Sequence, residues 1–108
     1  MVDKEIIVIV YAHPDDGVIM AGGSLAKWVE EGHKIFVISA TSGDLGTRNL
    51  QMTSEQLAKT REKELTNAME IIGGNTPIFL RFKDGHISDH AIELKKQLVY
   101  WFRKLKPN

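Results

Sequence analysis

The amino-acid sequence predicts an α/β fold in which a parallel β-sheet lies between layers of helices. Short apolar runs rich in β-branched residues, at 6–11, 34–39 and 78–82, alternate with longer segments whose apolar residues recur at helical spacing. This alternation is typical of βαβ units and therefore of a parallel sheet. Because no repeat, linker or low-complexity stretch interrupts it, we expect residues 1–108 to form a single domain.

The first strand and the first helix are predicted near the start of the chain. Residues 6–11 are apolar without alternation, which indicates a strand packed on both faces. The helix is predicted over 18–31, and Gly32 supplies its stop. The Gly22-Gly23 pair inside this helix is explained by close approach of the backbone to the sheet or to a ligand.

The second strand is predicted over 34–39, and a polar, glycine-bearing loop follows at 41–47. The second helix has the clearest signals of the chain. Thr53 with Gln56 resembles a capping box, and Gly73 and Gly74 mark the helix end. Its apolar stripe consists of Leu57, Leu65, Ala68, Met69 and Ile72.

Pro77 opens the third strand, predicted over 78–82, and Asp84-Gly85 then turns the chain. We expect Ser88 to cap a last helix. The apolar stripe of that helix consists of Ala91, Leu94, Leu98, Trp101, Phe102 and Leu105. The basic residues Arg103, Lys104 and Lys106 lie near its C-terminus, where their charge suits the negative end of the helix dipole.

Right-handed connections place the three strands in the order 3-2-1, half of a doubly wound, Rossmann-like three-layer fold. The most apolar strand, the first, then lies at an open edge of the sheet. Natural sheets cover, charge or shorten such edges. We therefore expect this strand to be covered, either by a missing C-terminal half of a larger domain or by another subunit of a homo-oligomer.

Composition excludes several classes of function. The 14 basic and 14 acidic residues leave no net charge, so no broad attraction to nucleic acid or anionic lipid follows. The absence of cysteine excludes disulfides, thiolate zinc sites and a cysteine nucleophile. The apolar run near the start is too short for a secretory signal or a transmembrane segment, so a cytoplasmic location is the default expectation.

Chemistry is expected where His13, Asp15 and Asp16 follow the first strand, because ligands bind beyond the carboxyl ends of parallel strands. His13 and Asp16 carry donor atoms that suit Zn²⁺ or another divalent metal ion, and Asp15 is placed to deprotonate a bound water. The alternative is a Pro-Asp-Asp turn whose aspartates only cap the next helix. Residue types alone leave both interpretations open, and only two of the usual three zinc ligands are evident.

The remaining candidates have simpler explanations. His86 and His90 have metal-ligand spacing but straddle a turn and a helix start, which favours surface and capping roles. Arg61 and Glu64 suit a surface ion pair, with substrate contact as the alternative. His33 follows a helix-ending glycine at the opposite edge of the sheet, and we assign it no chemistry.

Nucleotide-binding glycine loops, a G-x-S-x-G elbow and an H-E-x-x-H pair are absent from the sequence. The segments 12–16 and 21–26 instead strongly resemble the opening of the PIG-L/LmbE-like deacetylases. These are zinc hydrolases that remove acetyl groups from N-acetylglucosaminyl compounds. Similar family segments are found at 41–46, at Arg61 with Glu64 and Ala68, and at 82–87.

The resemblance implies that His13 and Asp16 are metal ligands, that Asp15 is the general base, and that Arg61 and Asp84 contact the substrate. It implies a Zn²⁺ cofactor and an acetylated amino sugar as substrate.

Two departures from the family pattern matter. Gly17 stands where many members carry Glu, and members are about twice as long, with the third ligand in an H-x-D-H segment after a fourth strand. We therefore expect this chain to be the N-terminal half of a larger deacetylase domain, either as a truncated product or as a short homologue. Two alternatives stay open: a non-catalytic module that self-associates through its first strand, and a site completed by His86 or His90 of a neighbouring subunit.

Overall fold

A computed structural model of the chain describes residues 4–12, 24–41, 53–82 and 87–107. The strands are β1 (Ile6–Tyr11), β2 (Lys34–Thr41) and β3 (Ile78–Phe82), and the helices are α1 (described over 24–30), α2 (Ser54–Ile72) and α3 (Ala91–Leu105), the last preceded by a 3-10 turn (Ile87–His90). Strands and helices alternate along the chain as the hydrophobic pattern predicts.

The three strands form one parallel sheet with β2 in the middle. This confirms the α/β class and the predicted 3-2-1 order. β1 pairs with β2 in continuous register, from Ile6 opposite Lys34 to Tyr11 opposite Ser39. Pairing of β2 with β3 shifts register between Ser39 and Thr41, an irregularity of the kind that bends a strand. β2 also runs two residues past the predicted 34–39, because the Thr41 amide still donates to the Ala12 carbonyl.

The hydrophobic core lies between the sheet and the helices α1 and α2. Alternate residues of a strand face the same side, and Ile35 and Val37 of β2 pack there against both helices. The buried cluster consists of Leu25, Ile35, Val37, Leu65 and Met69. Ile38 and Ala40, on the opposite face of β2, are also buried, so the middle strand is covered on both sides.

Both predicted ends of α2 are confirmed. The Thr53 hydroxyl accepts a hydrogen bond from the Gln56 amide at 3.1 Å, and the Gln56 side chain accepts one from the Thr53 amide at 2.9 Å. At the other end, Gly73 adopts a left-handed conformation with φ of 81°. There its amide donates back to the last turn, as a helix-ending glycine does. Local signals in the sequence therefore define this helix completely.

The start of α3 differs from the prediction. Ser88 lies inside the 3-10 turn, and the residue at the N-cap position is His90, whose side chain makes no capping hydrogen bond. The prediction of a Ser88 cap is therefore wrong, because a tight turn joins the helix where the sequence suggests a direct start. The predicted stripe along α3 is half-buried at Leu94, Leu98, Trp101 and Leu105, and it is exposed at Ala91 and Phe102.

β1 also differs from its predicted burial. It lies at an edge of the described sheet, and most of its residues are half-buried, with Val10 39% exposed. Its apolar composition therefore exceeds what the described neighbours cover. None of the described helices has the length and apolarity needed to cross a bilayer.

Candidate functional site

The carboxyl ends of the three strands meet at one edge of the sheet. Tyr11, the last residue of β1, pairs with Ser39 of β2, and Thr41, the last residue of β2, pairs with Phe82 at the end of β3. Ala12, directly after β1, therefore lies beside Thr41, and Thr41 lies beside Phe82. In an open parallel sheet this edge is where ligands bind.

Most of the predicted site residues come shortly after β1 or β3 in the sequence. His13 is the residue after Ala12, and Asp84 is the second residue after Phe82. His13, Asp15, Asp16 and Asp84 themselves lie outside the described residues, so their roles remain predictions. The two segments follow β1 and β3, the strands on either side of β2, so both begin at the same edge of the sheet.

The ends of β1 and β2 are joined by hydrogen bonds to a single carbonyl oxygen. The Ala12 carbonyl accepts from the Thr41 amide at 3.0 Å and from the Thr41 hydroxyl at 2.6 Å. The Ser39 hydroxyl in turn donates to the Thr41 carbonyl at 2.6 Å. The side chains of Ser39 and Thr41 are both fully buried, and the hydrogen bond between them is buried as well, whereas Ala12 is exposed.

Arg61 is the one predicted site residue that lies within the described ranges. Its side chain is 29% exposed, and the Nη1 atom lies 3.4 Å from Oε2 of Glu64, three residues further along α2. This is the surface ion pair predicted from the sequence. A guanidinium carries five N–H donors, and this long contact engages one of its nitrogens.

A second ion pair joins α2 to the end of β3. The Nε and Nη2 atoms of Arg81 donate to the two carboxylate oxygens of Glu62 at 3.1 and 3.0 Å. Hydrogen bonding with Glu62, and then the charge of Glu62, raise the pKa of Arg81, so the arginine stays cationic. Arg81 also has φ of 62°, a left-handed conformation that is uncommon for residues other than glycine. Sequence patterns did not reveal this pair, because its partners lie 19 residues apart on different elements.

The two described histidines take structural positions. His33 is buried beside the start of the sheet, where its Nδ1 atom accepts a hydrogen bond from the Glu5 amide at 3.0 Å and its Nε2 atom lies 3.4 Å from Glu31. His90 lies on the surface, with Nδ1 3.3 Å from Oε2 of Glu93. His90 therefore has the predicted surface role but, as described above, no capping role. His86 lies outside the described residues.

Within the ranges 4–12, 24–41, 53–82 and 87–107, no group of three or more His, Cys, Asp or Glu side chains could hold a metal ion. The donor atoms predicted for a metal belong to His13 and Asp16. An imidazole nitrogen and a carboxylate oxygen fit zinc, and they also suit iron, cobalt or manganese. The sequence thus offers two suitable donors on the short segment that follows β1.

Comparison with protein families and with curated relatives identifies the family of the chain. Residues 8–108 match the family described as PIG-L, GlcNAc-PI de-N-acetylase. A 1D-myo-inositol 2-acetamido-2-deoxy-alpha-D-glucopyranoside deacetylase from Kineococcus radiotolerans is 36% identical over 83 residues. That match covers 73% of this chain and 23% of the relative.

Solved structures share the fold. The N,N'-diacetylchitobiose deacetylase from Pyrococcus horikoshii superposes with a TM-score of 0.91 at 28% identity, over 97% of this chain and 39% of that one. The 4-carboxy-2-hydroxymuconate hydratase from Pseudomonas putida KT2440 superposes with a TM-score of 0.78 at 26% identity, over 95% of this chain and 44% of that one. This chain therefore spans less than half the length of these relatives, and the fold carries more than one chemistry among them.

Proposed function

The chain belongs to the PIG-L (GlcNAc-PI de-N-acetylase) family, and we propose that the protein is a zinc-dependent hydrolase that removes an N-acetyl group from a compound containing N-acetylglucosamine. The observation that carries this proposal is the convergence of strand ends. Thr41 is hydrogen-bonded to Ala12 and pairs with Phe82, so the segments that carry the motif residues begin at the same edge of the sheet, on either side of the end of β2. Deacetylation of acetylated amino sugars by the relatives supports the same reaction class.

In this proposal His13 and Asp16 hold the metal ion, and Asp15 is the general base. When bound, the metal supplies Lewis acidity toward the amide carbonyl and toward water. Asp15 accepts a proton from the attacking water and returns it to the leaving amine. The amide C–N bond breaks, and acetate and a free amino sugar are released. The third protein ligand that catalytic zinc usually has is not assigned to any residue of this chain.

Substrate contact is proposed for Arg61 and Asp84. The location of Arg61 supports a contact with the substrate. Helix α2 begins near the edge where the strands end and runs toward the edge where they start. The amide of Asn75, just past the end of α2, donates to the Ile35 carbonyl near the start of β2. Arg61 lies in the half of α2 that is further from this contact, toward the proposed site. Its partly exposed guanidinium has donors left for the hydroxyl or carbonyl oxygens of a sugar.

The base assignment is tested by measuring acetate release from N-acetylglucosamine derivatives by the purified Asp15→Asn variant. We expect a loss of about 10²- to 10⁴-fold, the usual contribution of a general base. Glu70→Gln is the matched control. It removes one carboxylate charge from the exposed surface of α2, near the opposite end of the sheet, and should leave activity unchanged. A loss smaller than about tenfold in Asp15→Asn would show that another group takes the proton.

The metal assignment is tested separately by calorimetric titration with zinc alone. His13→Ala and Asp16→Ala should each bind zinc far more weakly than the wild-type protein, and Glu70→Gln should bind it equally well. Unchanged zinc affinity in either variant would remove that residue from the ligand set. A protein that binds zinc but acts as a hydratase would support the metal site and contradict the proposed deacetylation.

A second candidate is a non-catalytic module that associates with a copy of itself through β1. The observation that favours it is the partly exposed apolar strand at the edge of the described sheet. A purified protein that holds no stoichiometric metal and releases no acetate would support this candidate. In the full enzyme the same edge is proposed to be covered by the C-terminal half of the domain or by a neighbouring subunit.

A third candidate takes the missing ligand from a neighbouring subunit, through its His86 or His90. His90 already lies beside Glu93, which favours its surface role over ligation. If a histidine is shared between subunits, the double change of His86 and His90 to alanine abolishes zinc binding. Circular dichroism should then show an intact fold, and retained zinc affinity would exclude the shared site.

A further inference from the structure

Two hydroxyl groups are buried where apolar side chains would be expected. Ser39 and Thr41 have no exposed surface and lie near the end of β2, next to the buried Ile38 and Ala40. Burying a hydroxyl costs free energy unless it is hydrogen-bonded. Among the described residues, no buried side-chain nitrogen or oxygen lacks a hydrogen-bond partner, so both hydroxyls are satisfied.

The hydrogen bonds of these hydroxyls link the end of β2 to Ala12, the residue directly after the first strand. In the ladder of a parallel sheet, the Thr41 amide alone would satisfy the Ala12 carbonyl. Here the Thr41 hydroxyl adds a second and shorter hydrogen bond, at 2.6 Å, to the same oxygen. The Ser39 hydroxyl holds the Thr41 carbonyl, also at 2.6 Å, at the point where the pairing with β3 shifts register. The two side chains thus fix the end of β2 and tie it to Ala12.

From this geometry we infer that Thr41 is a positioning residue for the metal-binding segment, an inference that rests on the proposed function. The Ala12 carbonyl and the His13 amide belong to the same planar peptide unit. A carbonyl held by two donors from a buried residue restricts the rotation of that unit, and so the direction in which the chain enters His13. Groups that orient metal ligands from outside the coordination sphere typically change metal affinity by about 10- to 100-fold when removed.

The test compares Thr41→Val with Thr41→Ser in the purified protein. Valine has nearly the shape of threonine but no hydroxyl, whereas serine keeps the hydroxyl. The matched control is Thr66→Val, because the Thr66 hydroxyl also donates to a backbone carbonyl, that of Glu62, at 2.8 Å within α2. Zinc affinity is measured by calorimetry with zinc alone, and thermal unfolding is measured for every variant.

We expect Thr41→Val to bind zinc about tenfold or more weakly than the wild type, whereas Thr41→Ser and Thr66→Val stay within about threefold of it. Equal zinc affinity in Thr41→Val and the wild type would overturn the inference. An equal loss in Thr66→Val would overturn it too, because the effect would then be general. If Thr41→Val does not fold, Ser39→Ala replaces it, since it removes only the hydrogen bond to the Thr41 carbonyl. Wild-type zinc affinity in that variant would count against the inference.

A second readout separates this inference from the proposed function. Hydrogen exchange of the backbone is followed by mass spectrometry on the peptide that contains Ala12 and His13. If the wild-type protein binds no zinc, the metal proposal fails, and exchange alone decides whether Thr41 holds this segment. Faster exchange in Thr41→Val than in Thr66→Val supports the positioning role, and equal exchange contradicts it.

Discussion

Removing Leu65 from the core tests whether α2 packs on the sheet as described. Leu65 is 3% exposed and belongs to the buried cluster with Ile35 and Val37. Leu65→Ala deletes three carbon atoms, which at about 0.8 kcal/mol for each buried CH₂ costs about 2.4 kcal/mol. The cavity left behind adds to this loss. We therefore expect a decrease of about 3 kcal/mol in the free energy of unfolding, within the range of about 2–5 kcal/mol typical of such changes.

Ile71→Ala on the same helix is the matched control, because isoleucine and leucine are isomers and the same number of atoms is removed. Ile71 is 85% exposed, so the transfer loss falls to about 0.4 kcal/mol. The higher helix propensity of alanine offsets a similar amount. The free energy of unfolding of Ile71→Ala should therefore stay within about 0.5 kcal/mol of the wild-type value.

The assay is urea unfolding followed by the circular dichroism of the helices, supported by thermal unfolding. At about 4–8 °C for each kcal/mol in a domain of this size, Leu65→Ala should lower Tm by roughly 12–24 °C. Ile71→Ala should leave Tm nearly unchanged. If the two variants lose similar stability, the burial pattern of α2 is wrong, and with it the face on which α2 meets the sheet.

Further predictions concern single contacts. Gly73→Ala should lower the free energy of unfolding by about 1–2 kcal/mol, because φ of 81° is strained for alanine and the new Cβ would lie 3.1 Å from Val29. Gly73→Asn should lose less stability, since asparagine tolerates a left-handed conformation better than alanine does. Equal losses in the two variants would contradict this account. Thr53→Ala should cost about 1 kcal/mol in urea unfolding through loss of the cap, and a stability equal to wild type would mean that the cap adds nothing. Glu62→Gln should cost at most about 1 kcal/mol at low salt and less at high salt, since Arg81 is 69% exposed; a loss that is insensitive to salt would argue against an ionic contact. Because the pKa of Arg81 is raised, its contribution to stability is complete below the ordinary arginine pKa and is lost only as the pH rises through the raised value, in strongly alkaline solution.

The elements of this fold follow from local sequence signals. The capping residues Thr53 and Gln56 and the terminal Gly73 predicted α2, and each makes the expected hydrogen bonds. The handedness of βαβ connections predicted the sheet order as well. Local signals were weaker at the start of α3, where Ser88 was the wrong cap, since a 3-10 turn and a helix start have similar polar residues.

For the candidate site, the sequence predicted residue types and the edge of the sheet, while the structure shows which backbone ends meet there. Ala12 and Phe82 flank Thr41 at this edge, which agrees with a site built from His13 and Asp84 on the segments that follow β1 and β3. The roles of the motif residues rest on the resemblance and on family membership. On α2, the ion pair of Arg61 with Glu64 is the one predicted from the sequence.

By itself, the sequence determined the strands, the helices and their order, because hydrophobic periodicity and caps report interactions between residues a few positions apart. Tertiary structure alone decided which distant residues share a hydrogen bond: Thr41 with Ala12 across 29 positions, and Arg81 with Glu62 across 19. Such pairs depend on strand register and on a left-handed backbone at Arg81. No local pattern encodes these features, because they arise only when separate elements pack together.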